Sequence, residues 1–94
     1  MRRATRFNKR DATEAEGVAA LKKLGLPWYE AGPLDGWTAI GQTFYPVEWK
    51  TPKGTLTEGQ KKFISECALM KRPYFVWRST EDMLSALRRE EKIA

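Results

Sequence analysis

The sequence predicts an α/β domain in which one mixed sheet is flanked by helices, in the order α-β-β-β-α-β-α. Three observations carry this. Apolar residues recur at helical spacing in three separate stretches, around Val18 to Leu24, Phe63 to Met70 and Met83 to Leu87. Two runs of strand character meet at Gly41-Gln42, a pair that suits a type II′ hairpin. The run Pro73 to Arg78 has the continuous apolarity of a strand covered on both faces.

Each element has its own signals. The first helix begins near Asp11 to Thr13, where Asp11-x-x-Glu14 and Thr13-x-x-Glu16 read as capping boxes or near relatives, and ends at Lys23 to Gly25. Val18, Leu21 and Leu24 mark its buried face. Trp28-Tyr29 reads as a short first strand, with Ala31-Gly32-Pro33 as a breaker. Asp35 to Ile40 and Thr43 to Thr51 are the next two strands, and Thr51-Pro52-Lys53-Gly54 is a turn. Thr57 opens the second helix with Gln60 as its capping-box partner, and Phe63, Ile64, Cys67 and Met70 form its apolar face. Ser79 or Thr80 caps a last helix in which Met83, Leu84 and Leu87 pack inward. No repeat or linker interrupts residues 11–94, which read as a single domain.

The charge is unevenly placed. The chain has 94 residues, with 17 Lys+Arg against 12 Asp+Glu, for a net charge of +5. Arg2, Arg3, Arg6, Lys9 and Arg10 fall in the first ten residues with no acid among them, so the remainder is balanced. Residues 1–10 therefore read as a basic flexible arm suited to a polyanion. The longest apolar runs are four residues, such as Val18 to Leu21, which argues against a membrane span. Arg2-Arg3 is not followed by an apolar stretch, which argues against a signal peptide and for a cytoplasmic setting. With Cys67 alone and no His, internal disulfides, zinc sites and the usual His-containing triads are excluded. Metal chemistry here must use oxygen ligands and a hard cation such as Mg2+.

The segment from Tyr45 to Lys50 carries the chemistry. Strand alternation turns Tyr45, Val47 and Trp49 to one face and Glu48 and Lys50 to the other. A two-residue loop at Gly41-Gln42 pairs Ile40 with Thr43 and, continued outward, sets Asp35 opposite Glu48. Directly opposed residues lie about 5 Å apart at Cβ, where like charges are destabilising and a bridging divalent cation relieves them. Asp35, Glu48 and Lys50 together suit phosphodiester hydrolysis: carboxylates to hold the metal, and a lysine to orient water or neutralise charge on the phosphate. By helical geometry Glu14 falls on the inward face of the first helix, between Val18 and Leu21, whereas Glu16 lies almost opposite.

The spacing from Asp35 to Glu48-x-Lys50 within this element order resembles the PD-(D/E)XK nuclease superfamily, whose core is restriction-endonuclease-like. The run Val47-Glu48-Trp49-Lys50-Thr51-Pro52-Lys53-Gly54-Thr55-Leu56-Thr57-Glu58-Gly59-Gln60 resembles its VRR-NUC branch. Arg10 to Leu21 is similar to the opening helix of small stand-alone, often phage-borne members. The resemblance covers roughly residues 9 to 88, and Glu48 to Gln60 is its most specific part. It implies a metal-dependent DNA endonuclease acting on branched DNA such as Holliday junctions, working as a homodimer in the cytoplasm of a host cell. Asp35 and Glu48 would be metal ligands with the Trp49 backbone carbonyl, Mg2+ or Mn2+ the metal, and Lys50 the catalytic lysine. Gln60 matches the family's glutamine near phosphate or metal, alongside its capping role. Glu16 matches the first-helix acid, and Glu14 is the alternative that geometry prefers. The chain departs from the family in two places: Leu34 separates Pro33 from Asp35, and Pro46 stands within a central strand.

On the substrate side, the five cations of the arm and Lys53 suit phosphate contacts, with Lys61, Lys62, Lys71 and Arg72 as further candidates. Trp28 and Trp37 are candidates to stack on unpaired bases, against the commoner role of strand aromatics in a core. No recognition helix is visible, so weakly specific or structure-guided cleavage is expected. The competing reading is a catalytically inactive nuclease-fold module that binds DNA or protein.

Overall fold

A computed structural model of the chain describes residues 9–93, with side chains described for residues 13–89. Its elements are α1 (Lys9–Lys23), β1 (Gly36–Ile40), β2 (Thr43–Trp49), α2 (Glu58–Leu69), β3 (Phe75–Trp77) and α3 (Thr80–Ile93). The sheet order is β1-β2-β3, with β1 antiparallel and β3 parallel to the central β2. The domain is α/β with a three-stranded mixed sheet and three helices. No helix among the described residues is long and apolar enough to cross a membrane.

The element count differs from expectation at Trp28-Tyr29. Tyr29 makes one isolated antiparallel bridge to Trp37, through N–H···O bonds of 2.9 and 2.8 Å in each direction. Pro27 before it and Pro33 after it leave room for a single pair, so no strand forms here. The N-terminal caps also differ: Asp11 and Thr13 lie inside α1, because the helix already includes Lys9 and Arg10. At its other end α1 closes in a Schellman pattern, in which Gly25 N–H donates to Lys22 C=O and Leu26 N–H to Leu21 C=O, both 3.0 Å. Leu21 is fully buried and Val18 half-buried, but Leu24 falls past the last helical residue and is exposed.

The β1–β2 hairpin turns at Gly41-Gln42 with register Ile40↔Thr43 through Gly36↔Val47. Gly41 takes φ +63, as the first central residue of a type II′ turn must. Pro46 is accommodated without a bulge, opposite Trp37. Lys50 N–H donates to Trp77 C=O (2.9 Å), so the even-numbered residues of β2 direct their amides toward β3. Since β3 pairs only with Val47 to Trp49, the donor that Pro46 lacks faces no partner strand.

Tyr45, Val47 and Trp49 occupy the core face of β2. There Leu21 of α1, Val47 and Trp49, Trp77 of β3, and Met83, Ala86 and Leu87 of α3 form the core. Trp49 is its centre, with ring centroids 6.1 Å from Trp28 and 5.1 Å from Trp77. Gly17 lets α1 approach this ring, since a Cβ there would overlap it. The terminal strand is shorter than the run Pro73 to Arg78, and Phe75 and Val76 are only half-buried. The reason is its position: β3 is an edge strand, not one covered on both faces. Helix α2 lies against the opposite face of the sheet, where Pro46, Glu48 and Lys50 point.

Candidate functional site

The hairpin register extends one step past its last ladder pair and brings Asp35 to Glu48. Asp35 N–H donates to Glu48 Oε1 (3.1 Å), and Trp49 N–H donates to Asp35 Oδ2 (2.8 Å). Each carboxylate thus accepts from the other strand's backbone, so side chains continue the ladder where backbone pairing stops. Trp49 N–H faces the Asp35 edge, and in an extended strand a residue's C=O faces the same edge as its N–H.

Glu48 is 0 % exposed and Lys50 is 6 % exposed. Their side chains pair, with Nζ 3.5 Å from Oε2. Gln60 Nε2 donates to the same Oε2 at 2.9 Å. Two backbone amides, one side-chain amide and one ammonium therefore surround the two acids, and these offset part of the repulsion that the register creates. Relief of that repulsion does not fall to a divalent cation alone. The protein itself supplies donors as well.

Gln60 holds this position because of the way α2 begins. Thr57 Oγ1 accepts from Gln60 N–H (3.2 Å), and Gln60 Oε1 accepts from Thr57 N–H (2.9 Å), completing a capping box. With Oε1 tied to the cap, the amide nitrogen is turned to Glu48. Gln60 is therefore both a cap and a member of the site. The loop between Lys50 and Thr57 is held from the far side by Arg78, whose Nη1 donates to Thr51 C=O (2.9 Å) and Gly54 C=O (2.6 Å).

A cavity of about 390 Å³ opens over this pair, walled by Glu14, Glu30, Gly32, Asp35, Glu48 and Gln60 among others. Of the two first-helix acids, Glu14 lines the cavity. Glu16 is exposed and lies off its wall. The reason is the helical stripe: Glu14 continues the line of Gly17 and Leu21, the residues by which α1 meets the core. The Trp49 side chain is in the core and only its backbone faces Asp35. Lys53 is exposed on the turn after Lys50. Lys61 is exposed and 3.7 Å from Glu58, a surface pair of little energetic weight. Arg2, Arg3 and Arg6 lie outside the described residues, as do the side chains of Lys9 and Arg10, whose backbone is helical. Among the described residues no set of three or more His, Cys, Asp or Glu side chains stands in a metal-holding arrangement.

Sequence reasoning missed Glu30 and Arg78. Glu30 follows the lone bridge residue Tyr29, in a loop whose path only the packing defines. Arg78 ends the β3 run in sequence, and nothing in its spacing points to a loop at Thr51 to Gly54. Comparison with known protein families, curated proteins and solved structures finds no match for this chain.

Proposed function

We propose that the chain is a divalent-metal-dependent endodeoxyribonuclease that hydrolyses phosphodiester bonds in DNA. The observation that carries this reading is a buried Glu48, opposed by Asp35 and held between the Gln60 amide and the Lys50 ammonium on the wall of an acid-lined cavity. A buried carboxylate with a buried lysine beside it is a costly arrangement for a fold, and such arrangements cluster at functional sites.

The donor set fits a hard cation. Asp35, Glu48 and the Trp49 carbonyl would hold Mg2+ or Mn2+, which take one or two carboxylates with water completing the shell. That sparse ligand demand is compatible with the lack of a three-residue cluster among the described residues. When bound, the ion supplies Lewis acidity toward a phosphate oxygen and lowers the pKa of water. The chain's own groups do the rest. Gln60 fixes the Glu48 rotamer, and Glu14 adds a carboxylate to the cavity. Lys50 presents an ammonium to orient the attacking water or to offset charge gathering on the phosphate. In the hydrolysis, a water oxygen bonds to phosphorus, one P–O ester bond breaks, and the departing sugar oxygen gains a proton.

The basic run Arg2, Arg3, Arg6, Lys9 and Arg10, with Lys53, supports DNA as the polyanion bound. Branched DNA as substrate, and a homodimer that presents two sites to two strands, rest on the family resemblance.

The test compares the chain with Lys50→Ala on branched, duplex and single-stranded DNA, with and without Mg2+ or Mn2+. The expected outcome is metal-dependent cleavage that falls by about 10²–10⁴-fold in the variant while DNA binding persists. Circular dichroism of the variant checks that Glu48, buried without the Lys50 ammonium, has not unfolded the domain. Binding with no cleavage of any substrate by the unmodified chain overturns the nuclease and leaves a DNA-binding module.

A further inference from the structure

A second cavity, of about 330 Å³, lies on the same sheet face as the carboxylate pair. Its walls include Trp37 of β1, Phe44 and Pro46 of β2, Phe63 of α2, and Arg72 beyond α2. Three segments each give one residue to the carboxylate site and another to this groove. Trp37 lies two residues from Asp35, Pro46 two from Glu48, and Phe63 three from Gln60. Two residues along a strand is about 7 Å, so the groove begins one side-chain step from the acids. A hydrogen bond also ties one lining to the other: Trp37 Nε1–H donates to the C=O of Gly32 (3.2 Å), which lines the carboxylate cavity.

The chemistry of the two cavities differs sharply. The first is lined by carboxylates, whereas among the described residues the wall of the second holds no acid, and its charged member is Arg72. Aromatic faces are offered to solvent: Phe44 is 60 % exposed although Tyr29 supports its ring at 6.2 Å, and Trp37 is only half-buried. Of the two tryptophans that are candidates for base stacking, Trp28 packs on the core ring of Trp49 and Trp37 lines this groove.

We propose that this groove binds an unpaired nucleobase of the DNA strand whose phosphate lies at the Asp35/Glu48 site, so that DNA with unpaired nucleotides is the preferred substrate class. The proposal rests on the nuclease reading for the place of the phosphate. Aromatic faces bind bases of any sequence by stacking, and an adjacent cation binds the backbone. The volume is at the small end for ligand pockets and admits one or two rings. Arg72 complements a nucleotide phosphate, and a duplex base pair, stacked on both sides, has no free face to offer.

The test is made without metal, so that binding is separated from cleavage. A labelled oligothymidylate and a duplex of equal length are titrated against the chain and against Phe44→Ala, whose side chain is exposed enough to be removed without unfolding the domain. Phe44→Ala is expected to weaken single-strand binding by about tenfold, the loss of one base–aromatic stack, and duplex binding by less than about twofold. A fluorescent purine analogue within the single strand reports stacking on the unmodified chain directly, and its emission is expected to be quenched on binding. The proposal is overturned by the absence of quenching, or by an equal change in single-strand and duplex affinity. It is also overturned if sedimentation shows that Phe44→Ala alters only self-association, which would assign the groove to a second copy. Cleavage without quenching removes the groove and keeps the nuclease. Quenching without cleavage in any metal removes the nuclease and keeps the groove as a base-binding site.

Discussion

At the scale of single residues, Gln60 shows how one side chain serves a helix and a site together. Its carbonyl oxygen accepts from Thr57 N–H and its amide nitrogen donates to the buried Glu48. Gln60→Glu separates these functions. It keeps an acceptor for the cap, so the capping box survives, but replaces the donor by a carboxylate facing Glu48. The variant is expected to lose about 1–3 kcal/mol of stability in urea at neutral pH, since Glu48 Oε2 loses a buried hydrogen-bond donor. A role confined to the cap predicts no loss at any pH. Cys67, by contrast, titrates away from any chemistry: burial, and then the Glu66 charge, push its thiol up, so it is less of a thiolate at neutral pH than a free cysteine.

At the scale of elements, the site depends on contacts made on the other face of the sheet. Trp49 presents its amide to Asp35 and its ring to the core, where it meets Gly17 of α1. Gly17→Ala places a methyl group against that ring, and the ring lacks room to move because Trp28 and Trp77 flank it. Overpacking of this kind costs about 1–3 kcal/mol, read as a shift of the urea midpoint. The displaced Trp49 should also weaken the hold on Asp35, so cleavage is expected to fall further than stability alone explains. A variant as stable and as active as the original would show that α1 can pivot away. Helix α2 ends with similar economy of sequence: Lys71, with φ 56, takes the left-handed position and turns Arg72 toward the groove. Arg72 N–H closes that turn on Cys67 C=O at 2.8 Å.

At the scale of the whole molecule, the net charge of +5 comes from the first ten residues, which on the proposed nuclease reading bind DNA while the balanced remainder carries the chemistry. Replacing Arg2, Arg3 and Arg6 by glutamine should weaken DNA binding and reduce the slope of log affinity against log salt by about 2–3, at roughly 0.7–0.9 for each phosphate no longer neutralised. The fold should be unaffected, and an unchanged slope would reject the arm as a DNA-binding segment. Much of this architecture was legible in the sequence because it rests on short-range rules. The Gly41-Gln42 turn and strand alternation together predict the observed pairing of Gly36 with Val47 and the approach of Asp35 to Glu48. Thr57 with Gln60 predicts the observed start of α2. The lone bridge at Tyr29, the short β3 and the exposure of Leu24 were not legible, since each depends on what packs alongside.

Local sequence rules set the register of the hairpin, and with it which acids meet and which face carries Glu48 and Lys50. Those follow from a turn of two residues and a period of two, both local. The helical period likewise turns Glu14 rather than Glu16 inward, but packing settles that Gln60 reaches Glu48 while capping its helix, and that Trp37 lines a groove while Trp28 packs on the core. Those outcomes turn on how helices rotate and settle against the sheet. That is set by the sum of many side-chain contacts around Trp49, and no single stretch of sequence contains it.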